Sequence, residues 1–273
     1  MAGSAVELEI KDAISRIRFA PRTSHLLISS WDSVLRLYDV DAAEIRLEVS
    51  SGAPLLDCCF LDESVALSAG VDCCIRRYDL PSGKQDTVGI HGDVATSIEY
   101  SEETGQLVST GLDKKLIFWD IHAMNRKSGC LEMDSEVTSM SLCGHYIIVA
   151  IGTHANVYDL RNLKGPLQTQ GSSMDYSICC VRSLSRKQGF AAGSVDGRVA
   201  LKSLEALASS EMGYDTFVTG DNEGYAVVWD AQSKKRIFEF PRHADSIASL
   251  SYDHSGQKLA IACSHTYQDV KEM

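Results

Sequence analysis

The sequence predicts an all-β fold: a seven-bladed β-propeller that is incomplete in blades five to seven. Three observations predict it. Five strand-like runs close on an aromatic residue followed by Asp: LRLYDV, IRRYDL, LIFWDI, NVYDLR and AVVWDA. The Asp residues of the first four endings, Asp39, Asp79, Asp120 and Asp159, stand 40, 41 and 39 residues apart. A small residue and a short Asp turn recur ahead of most of these runs, as in Gly70-Val71-Asp72 and Gly111-Leu112-Asp113. A period near 40 with a Trp-Asp type ending marks WD repeats, each a four-stranded propeller blade. One blade cannot bury both its faces, so the repeats imply a closed ring.

The first blade takes its strands from ISRIRFA (14–20), HLLISSW (25–31) and VLRLYDV (34–40). Apolar and polar residues alternate in the first run, and Pro21, Arg22 and Thr23 break it from the second. Blade two uses LLDCCFL, VALSAGV and CIRRYDL. Blade three uses TSIEY, QLVSTGL and KLIFWDI. Blade four uses TSMSL, YIIVAIG and ANVYDLR. Blade five uses ICCVRSL, FAAGSV and RVALKSL. The Asp turns between second and third strands, from Trp31-Asp32 round to Gly220-Asp221-Asn222, all fall on one rim. Asp bonds nearby backbone N–H groups and Gly accepts positive φ, which suits such turns.

The rhythm then breaks. Asp159 and Asp230 are 71 residues apart, where two blades need roughly 80. The third strand of blade five ends near Leu204, and TFVTG (216–220) reads as the second strand of blade six. A deletion between residues 204 and 216 is expected, removing the outer strand of one blade and the first of the next. SIASLSY and KLAIACS supply two strands of a seventh blade, and VELEI (6–10) is expected to close the ring by joining it.

Composition narrows the function. The chain has 273 residues, 44% hydrophobic, consistent with one domain over 1–273. Its net charge of −11 argues against a nucleic-acid partner and favours basic partner segments in encounter. No run is long enough to span a bilayer, and the first residues lack the shape of a signal peptide. The nine cysteines form no C-x-x-C; the adjacent pairs Cys58-Cys59, Cys73-Cys74 and Cys179-Cys180 point to opposite faces of a strand and cannot clamp a metal. Reduced, packed thiols are expected.

His91, Ser109 and Asp113 could pass for a hydrolase triad. Their placement before the first strand, in the second strand and in the following turn, with Trp119 in the third, reads instead as an internal hydrogen-bond network of one blade. No phosphate-binding loop, dinucleotide fingerprint or H-E-x-x-H accompanies it. No enzyme activity, cofactor or metal is expected.

Several stretches go beyond a generic repeat. ISRIRFAPRTSHLLISSWDSVLRLYDV, YDLRN, RKQGFAAGSVDGRVALKSLE and DSIASLSYDHSGQKLAIACSHTYQ together resemble the budding-uninhibited-by-benzimidazole family of mitotic-checkpoint WD-repeat proteins, over nearly the whole chain. An mRNA-export WD-repeat family at the nuclear pore shares some of them. The checkpoint resemblance implies a non-catalytic scaffold that binds a short acidic motif, GLEBS, in checkpoint kinases. It implies a location in the nucleus and at kinetochores in mitosis, with the cytoplasm as a second place. It assigns Arg198, in the G-R-V-A segment, to a motif glutamate, and Trp31 with Asp32 to the binding face. Blades one and five lie four steps of about 51° apart in a seven-blade ring, so Trp31 and Arg198 would face each other across the channel mouth.

The chain also departs from that pattern. The family's second S-W-D turn is replaced by Gly111-Leu112-Asp113. Its F-[KR]-C-H segment, which carries basic residues for a phosphothreonine of the kinetochore scaffold, falls in the gap between Leu204 and Thr216. Lys187 and Lys202 are the nearest remaining basic residues in sequence, and phosphopeptide recognition is not expected. A different reading rests on Tyr158, Asp159 and Arg161, which match the [WY]-D-x-R box by which substrate receptors of cullin-four ubiquitin ligases meet their adaptor.

Overall fold

The computed structural model describes residues 6, 8–121, 127–171, 176–184, 189–204 and 216–264. Among them are 24 strands, every paired neighbour antiparallel, and no helix. Sheet one holds β1 (Ile14–Phe19), β2 (His25–Ser30), β3 (Val34–Asp39) and β4 (Glu44–Ser50). Sheet two holds β5 (Leu55–Phe60), β6 (Val65–Gly70), β7 (Cys74–Asp79) and β8 (Lys84–Ile90). Sheet three holds β9 (Ala95–Ser101), β10 (Gln106–Gly111), β11 (Lys115–Trp119) and β12 (Lys127–Glu132). Sheet four holds β13 (Val137–Cys143), β14 (Tyr146–Ile151), β15 (His154–Asp159) and β16 (Gln168–Gly171). Sheet five has β17 (Ile178–Ser183), β18 (Gly189–Ser194) and β19 (Val199–Ser203). Sheet six has β20 (Thr216–Gly220), β21 (Ala226–Asp230) and β22 (Arg236–Glu239), and sheet seven has β23 (Ile247–Tyr252) and β24 (Leu259–Cys263).

The fold is an all-β propeller. The expected count of seven blades needs correction. Six sheets carry three or four strands, whereas the last repeat contributes only two, which is a hairpin rather than a blade. The proposed deletion, residues 205–215, lies outside the described residues, as does Lys187. The VELEI closing strand is also corrected. The described residues of 6–10 form no strand. Leu8 and Ile10 instead rest their side chains on an apolar cluster that joins Ile17, Ile28 and Tyr38 of sheet one to Ala262 of sheet seven.

Burial follows the position of a strand in its sheet. The second strand has a neighbour on each side and a sheet above and below, so β2, β6, β10 and β14 are buried almost throughout. Leu27, Leu67, Val108 and Ile148 occupy equivalent places there and are inaccessible to solvent. Burying each such side chain contributes roughly 1.5–3 kcal/mol. The fourth strands face water, and β4 alternates exposed and half-buried positions over most of its length. Five apolar clusters fill the spaces between sheets one and two, two and three, three and four, four and five, and one and seven. Among the described residues, sheet six belongs to none of them.

The first strands stand side by side around the axis and are stitched by side chains. Asp57 on β5 accepts the Ile98 N–H at 3.1 Å, Ser139 on β13 accepts that of Val181 at 3.2 Å, and Ser141 accepts that of Ser183 at 3.0 Å. At the seam, Ser249 and Ser251 of β23 accept the N–H groups of Ile17 and Phe19 at 3.2 and 3.0 Å. Ser264 accepts that of Ile14 at 2.9 Å, and Lys258 binds Asp41 and Ser24.

Candidate functional site

The rim formed by the second-to-third-strand turns is built five times in the same way. An Asp or its equivalent opens the turn, and a later residue takes positive φ: Ser33 at 68°, Cys73 at 68°, Lys114 at 57°, Gly197 at 81° and Gly224 at 90°. In each turn the N–H of that residue bonds back to the carbonyl three positions earlier, at 3.0–3.4 Å. Left-handed backbone is strained for non-glycine residues, so the repeated Asp side chain, accepting backbone N–H groups, holds the turn closed.

Arg198 stands on this rim. Its guanidinium is 68% exposed, tied only loosely to Asp196 at 3.2 Å, and it has exposed Val195 and Val199 on either side. Asp196 itself is held by the Ser194 hydroxyl and by the Arg198 N–H at 3.3 Å. This places a cation beside bare apolar surface. Trp31 lies on the same rim in the turn of sheet one, half-buried, with its N–H bonded to the Ala13 carbonyl at 2.9 Å. Leu112 is exposed on the turn of sheet three.

Asp32 has a different place. Its oxygens accept Val34 N–H at 3.1 Å, the Ser30 hydroxyl and two Arg36 N–H groups, at 3.1 and 2.6 Å, and its side chain is 5% exposed. Arg36 continues to Glu48 at 2.8 Å. Burial opposes ionisation of Asp32, but the Arg36 and Ser30 hydrogen bonds win and lower its pKa. Asp32 therefore anchors the turn that carries Trp31, and its oxygens are occupied within the sheet. Asp72 and Arg76 repeat the pairing in sheet two.

Tyr158, Asp159 and Arg161 sit on the opposite rim, where β15 ends. Arg161 is folded back on its own sheet. Its Nε and Nη2 donate to the two Asp159 oxygens at 2.9 and 2.7 Å, and its guanidinium lies over the Tyr146 ring, 5.8 Å from the centroid. Tyr158 is buried.

His91, Ser109, Asp113 and Trp119 form one connected network inside sheet three. His91 Nδ1 meets both Asp113 oxygens at 3.1 Å, and its Nε2 meets Ser109 Oγ at 2.7 Å. Trp119 donates its indole N–H to the same Oγ at 2.7 Å, and Asp113 also accepts Gly92 N–H at 2.9 Å. Burial pushes the His91 pKa down against the pull of Asp113, so the neutral ring is favoured. Ser109 is inaccessible to solvent and already accepts the indole, so it is not presented to a substrate. Elsewhere the network shrinks: Ser68 meets Tyr78 at 2.9 Å in sheet two, and Trp229 donates to Thr219 at 2.9 Å in sheet six. No group of three His, Cys, Asp or Glu that could hold a metal occurs among the described residues, and all nine cysteines are free.

Two features escape sequence reasoning. Tyr225 and Arg242 form a cation–π pair, 5.6 Å apart, on the rim at sheet six. The only signal was a Tyr directly after the Asp221 turn. The second is a set of charges on the first strands: Arg16 bonds Asp57 at 2.9 Å, and Arg18 bonds Glu99 at 3.2 Å from Nη1. Polar residues at alternate positions of those strands mark it, but their partners lie one or two repeats away.

No family model matches the chain. Curated relatives do. It is 43% identical to the mitotic checkpoint protein BUB3.3 of Arabidopsis thaliana over 302 positions, covering 100% of this chain and 96% of the relative. The chain belongs to the Bub3 family of mitotic checkpoint proteins. It is also 35% identical to BUB3.1 of the same plant, covering 98% of this chain and 88% of the relative. Bub3 of Dictyostelium discoideum is 28% identical over 97% of this chain and 89% of its own length. The match to BUB3.3 spans more positions than this chain has residues, so that relative carries residues without a counterpart here.

Proposed function

We propose that this Bub3-family chain is a non-catalytic interaction disc of the spindle assembly checkpoint. It acts in the nucleus and at kinetochores in mitosis, and it binds GLEBS-type acidic motifs of checkpoint kinases. One observation carries the reading: an exposed Arg198, flanked by bare Val195 and Val199, stands on the same rim as Trp31. A guanidinium fork takes a carboxylate bidentately, and an aromatic with aliphatic neighbours supplies apolar area at the centre of an interface. Family membership over the whole chain supports the same partner class. Residues 1–273 act as one domain, in which the terminal hairpin packs against the first blade. Calorimetric titration with a synthetic GLEBS peptide tests the proposal: micromolar or tighter binding, lost in Arg198→Glu, is expected. Equal affinity in the two proteins overturns the site.

A further inference from the structure

The charges on the first strands, which stand side by side in the ring, do not cancel. The described first strands carry three guanidinium groups, Arg16, Arg18 and Arg182, and two carboxylates, Asp57 and Glu99. Arg16 is taken by Asp57 and Arg18 by Glu99. Arg182 has no carboxylate partner among the described residues. Its Nη1 donates to two backbone carbonyls, Met140 and Val181, each at 3.0 Å. The Arg18 Nε is buried and without a hydrogen-bond partner. Burial and the repulsion of Arg16 and Arg18 push the Arg182 pKa down to about 9, so it stays a cation at neutral pH under protest from its neighbours. This excess of positive charge sits inside a protein of net charge −11.

We propose that the axial channel is an oxyanion-binding site in which Arg182, beside Arg18, takes a phosphate or carboxylate group. Arg182 is half-buried, and among the described residues only its Nη1 donors are taken, which leaves Nε and Nη2 for a ligand. Planar guanidinium donors match paired oxygens of either group, and a restored opposite charge relieves the repulsion between the arginines. The site differs from the rim in both position and residues, so it does not depend on GLEBS binding.

The test is calorimetric titration of the full chain at matched ionic strength with two probes: inorganic phosphate, and the blocked tripeptide N-acetyl-Gly-Glu-Gly-amide. Binding of one or both is expected, weakened at least tenfold in Arg182→Gln and unchanged in Lys84→Gln on an exposed outer strand. Binding of phosphate alone assigns a free anion, and binding of the peptide assigns a carboxylate carried by a partner. Should Arg182→Gln fail to fold, Ser141→Asp serves instead: it places a carboxylate on the neighbouring strand and is expected to abolish the response by filling the site from within. Absence of binding by both probes, or equal binding in wild type and the channel variants, overturns the proposal.

Discussion

The Asp57 carboxylate crosses from sheet two to sheet three and accepts the Ser97 hydroxyl at 2.7 Å. It also takes Ile98 N–H and Arg16 Nε, so one side chain ties three successive sheets. Burial opposes its charge, but Arg16 and Arg18 overcome that and hold its pKa at about 2. Asp57→Ala strands the half-buried Arg16 and the buried Ile98 N–H. A loss of about 3–5 kcal/mol is expected, the range for breaking a buried ion pair from one side. Urea unfolding measures it, and a midpoint equal to wild type would refute the role.

Acid is expected to destabilise the chain in two stages. The His91 pKa is lowered on folding, so the unfolded chain binds the extra proton first, and stability falls as pH drops below the ordinary His value of 6.5. Folded pKa values below the ordinary 3.8 for Asp57, Asp32 and Asp113 give the second stage. That contribution is full above 3.8 and is lost as pH falls through the folded values, near 2 for Asp57. Melting temperature against pH measures both. His91→Gln removes the upper stage and leaves the lower one.

Arg198→Ala is expected to weaken GLEBS binding at least tenfold, about 1.4 kcal/mol. It should leave the melting temperature unchanged, because the side chain is exposed and its one ion pair is worth about 0–1 kcal/mol. Arg198→Glu should weaken binding further by setting like charges together. Trp31→Ala separates the apolar contribution from the charge. A destabilised Arg198→Ala protein would show that the residue belongs to the fold rather than the rim.

A phosphorylated M-E-L-T peptide is expected to bind no better than its unphosphorylated form. A phosphate carries about −1.5 to −2 charge and needs convergent donors. Lys202 stands on β19, and the chain is acidic overall, so long-range attraction does not compensate. Fluorescence anisotropy with both peptides at one salt concentration decides the matter. A tenfold preference for the phosphorylated peptide would overturn the expectation.

Much of the ring was legible because each repeat carries its own local signals. Ser109, Asp113 and Trp119 are separated by fewer than a dozen residues, and strand alternation with turn chemistry places them in one sheet. Their network with His91 needs no knowledge of neighbouring blades. Asp57 and Ser97 were not legible as partners, since their contact depends on the register between repeats 40 residues apart. The VELEI segment misled because alternation suits a strand, yet Leu8 and Ile10 are satisfied by side-chain packing alone. For Asp32, the sequence marks its turn but not that Ser30 and Arg36 occupy its oxygens. Exposure of Arg198, the property that matters for binding, follows from packing and not from its motif.

Among the described residues, sheet six shares in none of the five apolar clusters. A chain given two further strands between Leu204 and Thr216, one pairing β19 and one pairing β20, is expected to melt higher and aggregate less. Each buried backbone hydrogen bond left unmade costs on the order of 1–3 kcal/mol. Differential scanning fluorimetry of the two proteins tests this, and equal melting temperatures would count against it.

The seam between sheets one and seven also sets an order of events during folding. Ile14 and Ser264, hydrogen-bonded at 2.9 Å, are 250 residues apart in sequence. Each antiparallel hairpin closes a loop of only a few residues, whereas this bond encloses nearly the whole chain. Contacts between such distant residues restrict the chain long before they reward it, so they form late and slowly. Until then Ser249 and Ser251 lack the N–H groups of Ile17 and Phe19, and the first and last sheets stand open to other chains. Crowded synthesis therefore endangers this protein most in the interval before its ring shuts, when every sheet exists but the circle does not.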